Sequence, residues 1–270
     1  MPAKMVIGRA ALHKWEEPCI SGDIGSGTIF FYGCNLKCVF CQNAKLSGGQ
    51  IKGSGREVTP EELVRIMLEL EQAGAGNINF VTPGHYAPSV ALAIQKAKEE
   101  GLQIPIVYNT GSYELPSTLA LLDGLVDIYL PDLKYYSDES ARKYSNAPDY
   151  FNIAAEAIHE MLRQTGKPEF DEHGMMKKGV LVRHLLMPGG FLDSRKIIKY
   201  LHDTYHNDIY ISIMSQYTPM KDFSDMPELN HKVKYSVYEH LINIAIQEGI
   251  ENAFIQEGET AKESFIPDFY

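Results

Sequence analysis

Residues 27–47 read GTIFFYGCNLKCVFCQNAKLS, and this stretch decides the fold. A run rich in β-branched and aromatic residues, 27–33, leads without a break into Cys34, Cys38 and Cys41. Such a run reads as a buried strand, and three cysteines directly after it place metal or thiol chemistry at the strand's end.

Outward from this point a β-type run followed by a helical pattern recurs along the chain. Strands are predicted at 77–82, 104–110, 126–135, 179–189 and 208–217, with a short last one at 253–257. Between them the apolar spacing predicts helices over 58–74, 87–101, 116–124, roughly 138–165, 193–206 and 232–249. Strands alternating with helices imply parallel pairing through crossovers. About six units fall short of the eight that close a TIM barrel, so the chain reads as α/β, either a partial (β/α)6 barrel or a doubly wound sheet.

In both architectures ligands gather at the C-terminal strand ends. There the sequence places the cysteines, TPGHY after the second strand, NTGSY after the third, PDLKYY closing the fourth, RHLLMPGG ending the fifth and SQYTPM ending the sixth. Ser215, Gln216, Tyr217 and Thr218 carry hydrogen-bonding groups suited to substrate, although a bare strand-to-loop transition would account for the serine and threonine alone. The segment LHKWEEPCISG, with His13, the only tryptophan and Cys19, reads as a cover for the barrel's base, with a lid over its mouth as the other reading. The polar stretch 167–179 reads as a mobile connection, and the aromatic-rich end ESFIPDFY as a segment able to dock back on the barrel or on a partner.

The chain has 270 residues, is 44% hydrophobic and shows no linker-like composition break, so 1–270 reads as one domain with 1–25 as an N-terminal extension packed on or near the barrel. A net charge of −10 argues against nucleic-acid binding and against an anionic membrane surface. No run of about eighteen apolar residues marks a membrane span. Four cysteines, three of them clustered, fit a reducing compartment better than a disulfide framework, and the expected location is cytoplasmic.

Three thiolates fit several chemistries. A structural zinc site needs four protein ligands, and Cys19 lies fifteen residues upstream as an awkward fourth. A [4Fe–4S] cluster held by Cys34, Cys38 and Cys41 would leave one iron open to a small chelating molecule, and a plain electron-transfer cluster is a third possibility.

CxxxCxxC with Phe40 just before the last cysteine resembles the signature of the radical S-adenosylmethionine superfamily. GTIFFYGCNLKCVFCQNAKLS, YLPDLKY and VRHLLMPGGFLDS resemble the group related to pyruvate formate-lyase activating enzyme; KWEEPCISG, VTPGHY, YNTGSYE and SIMSQYTP resemble uncharacterised relatives within it. The resemblance implies a partial (β/α)6 barrel of radical SAM type, with a [4Fe–4S] cluster on Cys34, Cys38 and Cys41 and S-adenosylmethionine capping the open iron. It implies Phe40 beside the adenine, Lys134 and Arg183 toward the cofactor's polar end, and Asp132 and Asn109 near the ribose or a cation. Where the group carries Gly-Gly-Glu for the cofactor's amino group, this chain has Thr82, Gly84 and His85, and Gln42 stands in place of a histidine. The implied activity is hydrogen abstraction by a 5′-deoxyadenosyl radical, either activating a glycyl radical enzyme with flavodoxin or ferredoxin as electron donor, or acting on a small molecule or peptide.

Overall fold

In the computed structural model, residues 4–48 and 55–255 are described. Their strands are β1 Met5–His13, β2 Ser26–Phe31, β3 Arg56–Val58, β4 Ile78–Val81, β5 Ile106–Thr110, β6 Ile128–Pro131, β7 Glu169–Phe170, β8 Met176–Leu185, β9 Tyr210–Met214 and β10 Ala253–Ile255. Nine of them follow the order β10-β9-β8-β6-β5-β4-β2-β1-β3, and β7 pairs with β8.

From β2 to β10 every neighbouring pair on this path is parallel, whereas β1 pairs antiparallel with β2 and β3 with β1. β2, β4, β5 and β6 are buried at every position because helices cover one face and the barrel interior the other, which is why they read as largely apolar runs without polar alternation. The path ends at β10 on one side and β3 on the other without closing, giving an α/β partial barrel of six principal parallel strands.

Local chemistry sets the helices. Thr59 and Glu62 form a reciprocal capping box at the start of Pro60–Gln72, an arrangement worth about 1 kcal/mol. That helix turns Leu63, Val64, Ile66, Met67 and Leu70 onto the sheet.

Three departures from the sequence reading have physical causes. The stretch 138–165 is two helices, Asp138–Ser145 and Tyr150–Thr165, because Asn146 and Asp149 adopt left-handed backbone on either side of Pro148. Residues 167–179 contain the β7–β8 hairpin, whose turn is held by Asp171 accepting from the Met175 and His173 amides. β1 is a full antiparallel strand where the sequence reading had only an N-terminal extension over 1–25, because its buried residues Met5–Gly8 and its pairing with β2 and β3 bind it into the sheet. The expected docking segment ESFIPDFY lies outside the described residues.

The segment after β1 covers the base of the barrel. Cys19 and Ile20 pack against Val107, Ile128, Leu130 and Leu181, which project inward from three strands. From this plug Glu16 and Glu17 reach into the interior, where Glu16 meets Arg183 and Glu17 accepts from Ser212 Oγ at 2.9 Å.

Candidate active site

One cavity of about 560 Å³ runs from the cysteine loop down to the plug. Its upper wall holds Cys34, Cys38, Phe40, Cys41, Gln42 and Asn43, and its lower end is built by residues 13–18.

Gly33 turns the chain from β2 into the cysteine loop at φ +90°, and a Cβ there would lie 2.9 Å from His85 Nε2, so two independent constraints select glycine. The loop is sewn to the end of helix Asp138–Ser145: Lys37 N donates to Ser145 O and Val39 N to Tyr144 O, both at 2.9 Å. Ser145 Oγ donates to Cys38 Sγ at 2.9 Å and Ser47 Oγ to Cys41 Sγ at 3.4 Å. All four cysteines are free. Burial pushes the Cys34 thiol up to about 11. Burial also raises Cys38, against the pull of the Lys134 ammonium and the Ser145 hydrogen bond. Thiols in this environment become thiolates once a positive centre binds them.

Among the described residues no three His, Cys, Asp or Glu side chains stand close enough to hold one metal ion.

Below the loop lies a buried ionic network. Asp132 Oδ1 accepts from Arg183 Nε at 2.8 Å, and its Oδ2 accepts from Lys134 Nζ at 2.5 Å. Arg183 Nη2 donates to Asn109 Oδ1 at 2.7 Å, and Nη1 stands 3.5 Å from Glu16 Oε2. Burial alone would push the Asp132 carboxyl up, but Arg183 and Lys134 together hold it below the usual carboxylate range. Burial would depress Lys134 and Arg183, yet both are raised, the lysine by Asp132 together with Cys38 and the arginine by Asp132 together with Glu16 and Glu17. The outcome differs for Glu16, which burial raises to about 7 despite Arg183.

Of the residues singled out in the sequence, Cys34, Cys38, Cys41, Phe40, Thr82, Asn109, Asp132, Lys134 and Arg183 all line this cavity. Phe40 meets the Tyr217 ring edge-on, centroids 6.2 Å apart. Thr82 has left-handed backbone at φ +58°, a costly conformation for a β-branched residue, held by its amide on Asn109 O at 2.8 Å. His85 stands behind the cavity wall, its Nε2 2.6 Å from Tyr32 O. Gln216 and Thr218 line the cavity, while the Tyr217 hydroxyl is engaged with Leu229 O at 2.7 Å and leaves its ring for the wall.

Sequence reasoning missed two carboxylate sets. Glu16 and Glu17 sit in the cavity's lower wall, and the only hint was two adjacent acids inside an apolar, Trp- and Pro-flanked stretch. Glu114 lies against the TPGHY loop: it accepts from Tyr108 Oη at 2.8 Å and from Thr110 Oγ1, and a Cβ on Gly84 would fall 2.7 Å from its carboxyl carbon.

The chain was compared with known proteins. It is 30% identical over 240 residues to the uncharacterized protein MJ0674 of Methanocaldococcus jannaschii, covering 87% of this chain and 65% of that protein's length. It is 26% identical over 219 residues to the pyruvate formate-lyase-activating enzyme of Clostridium pasteurianum, covering 75% of this chain and 78% of that one. A crystal structure of a radical SAM methyltransferase from Sphaerobacter thermophilus superposes with a TM-score of 0.57 at 16% identity, over 87% of this chain and 67% of that one. Residues 28–201 match the radical SAM superfamily, and they include the cysteine loop and five of the six principal parallel strands. The chain belongs to the radical SAM superfamily.

Proposed function

We propose that Cys34, Cys38 and Cys41 hold a [4Fe–4S] cluster beside a site for S-adenosylmethionine, and that the chain abstracts hydrogen from a polypeptide substrate, as an activator of a glycyl radical enzyme would. The observation that carries this reading is the convergence of the three cysteines with Phe40, Asn109, Asp132, Lys134 and Arg183 on one cavity at the strands' C-terminal ends. When bound there, a reduced cluster supplies the electron that splits S-adenosylmethionine into methionine and the 5′-deoxyadenosyl radical.

The chain's own part is placement and shielding. Lys134, fixed on Asp132 and close enough to Cys38 for their charges to interact, offers an ammonium to a carboxylate near the cluster. Phe40 gives an aromatic face for a purine. Asn109 and Asp132, held by Arg183, present oxygens to hydroxyl groups. The plug of Cys19 and Ile20 keeps water from entering through the base.

Two observations support a polypeptide substrate. The chain is similar over most of its length to an activating enzyme. Met220 and Ile255 line the cavity while remaining 42% and 48% exposed, so apolar groups border an opening to solvent. The electron donor in this reading is a flavodoxin or ferredoxin in the cytoplasm, where free thiols persist. Among the described residues no helix is long and apolar enough to cross a membrane.

The test is anaerobic reconstitution with iron and sulfide, reduction in the presence of S-adenosylmethionine, and assay of 5′-deoxyadenosine. Product that vanishes in Cys34→Ala, Cys38→Ala and Cys41→Ala supports the reading. A brown protein that leaves S-adenosylmethionine intact would point to electron transfer, and a colourless protein holding zinc would overturn the cluster.

A further inference from the structure

At the lower end of the cavity two carboxylates lack a close cation. Glu16, Glu17 and Asp132 line it together with Lys14, Lys134 and Arg183, and only Asp132 is held by close cations, at 2.5 and 2.8 Å. Lys134 and the Nε of Arg183 are both committed to Asp132, and Nη2 of Arg183 to Asn109. Only Nη1 is left for Glu16, at 3.5 Å, and Glu17 takes its hydrogen bond from the neutral Ser212 hydroxyl. Burial raises both glutamates above the ordinary carboxylate range, with Arg183 opposing it in each.

A second observation points the same way. Asn79 is fully buried and close enough to Glu16 to favour its ionised form, yet neither Oδ1 nor Nδ2 reaches full hydrogen-bond geometry with any described residue. Its register neighbour on β2, Thr28, also leaves Oγ1 unpaired. Both residues share the inward face with Val81 and Phe30, which line the cavity. Buried polar atoms without partners are costly, and here they stand beside a carboxylate that one long contact only partly compensates. Two carboxylates without a close cation, beside the unused oxygens of Asn79 and Thr28, are matched by a donor that carries positive charge.

We propose that Glu16 and Glu17 are the counter-ions for a cationic group of the substrate, an alkylammonium, which makes the lower cavity the specificity site for the reaction. This rests on the radical reading of the same cavity and names its substrate class. The ammonium is presented by a lysine side chain of a peptide or by a free amine. The cavity takes a flexible alkyl chain along Phe30, Val81 and Met214, with the charged end between the two glutamates.

The experiment is calorimetric titration of the full chain, with and without reconstituted cluster and S-adenosylmethionine. The probes are acetyl-Gly-Lys-Gly-amide, its norleucine counterpart, and n-pentylamine. The expected result is saturable binding of a cationic probe at least about tenfold tighter than the norleucine peptide, a discrimination that collapses in Glu16→Gln/Glu17→Gln. The lysine peptide binding more tightly than pentylamine assigns the cation to a polypeptide, and the reverse order to a small amine. Each single variant is measured as well, so that loss of fold in the double variant, read by circular dichroism, leaves the comparison intact. Equal binding of norleucine, no saturable binding of either cation, or a cation preference that survives in the Gln variants would overturn the proposal. So would loss of S-adenosylmethionine binding in the Gln variants, which would assign the pair to the cofactor. The titration without cluster is independent of radical formation, so a chain that yields 5′-deoxyadenosine but ignores the cationic probes loses this inference and keeps the function.

Discussion

Arg183 and Asp132 are joined twice, by a side-chain ion pair at 2.8 Å and by a backbone bridge that prolongs the β6–β8 pairing beyond the end of β6. The barrel wall and the charge network under the cysteine loop are therefore one construction. Asp132→Asn removes the carboxylate that both Arg183 and Lys134 rely on and leaves two buried cations near each other. The expected cost is about 3–5 kcal/mol in urea unfolding, together with loss of S-adenosylmethionine binding by equilibrium dialysis. Unfolding indistinguishable from the parent chain would show that the network contributes no stability.

Gly84 faces the Glu114 carboxyl with no room for a methyl group, since the added Cβ would lie 2.7 Å from it. Gly84→Ala is expected to displace Glu114 from Tyr108 and Thr110 and to lower both the Tm and the affinity for S-adenosylmethionine. Gly76→Ala, where the nearest atom would be 3.5 Å away and φ is unconstrained, serves as the control and should melt near the parent temperature.

The raised Glu16 gives a pH signature of known sign. Its carboxyl titrates at about 7 in the fold against 4.5 when unperturbed, so the folded state binds the proton more tightly than the unfolded chain. Its contribution is full below about 4.5 and is lost as pH rises to about 7, on the order of 3 kcal/mol in all. Asp132 acts in the opposite direction at lower pH, where protonation removes its pairing. Unfolding free energies measured between pH 5 and 8 should fall with pH in the parent chain and fall less steeply in Glu16→Gln, where the raised Glu17 still contributes. An unchanged slope in the variant would assign the titration elsewhere.

Ser145 Oγ donates to Cys38 Sγ while lying 2.7 Å from the Tyr135 hydroxyl. A hydrogen bond to a ligating sulfur eases reduction. Ser145→Ala should therefore retain full iron content but shift the reconstituted cluster to a more negative potential in a spectroelectrochemical titration. Cys19→Ala, which alters only the plug, should leave both iron content and potential unchanged.

The parallel half of the fold was legible because β2, β4, β5 and β6 are buried on both faces and stand out as apolar runs between helical patterns. Strand ends told where the cavity would open, whereas Asn109, Asp132 and Arg183 were named through the family resemblance, and the structure places all three on the cavity wall. What escaped was set by tertiary placement. Glu16 and Glu17 precede β2 in a short, aperiodic segment, and nothing local says that this segment enters the barrel from its base. Glu114 lies two residues beyond the NTGS turn, and only the approach of Gly84 reveals its place. The split of 138–165 was written in Asn146, Pro148 and Asp149 but hidden beneath continuous amphipathic spacing.

The cysteine loop is tied by backbone hydrogen bonds to the end of helix Asp138–Ser145, and Ser145 also reaches Cys38 with its hydroxyl across 107 positions of sequence. The spacing of the cysteines is therefore written in one part of the chain and their posture in another. A substitution that frays the last turn of that helix would be felt at the sulfur atoms without touching the motif that names them.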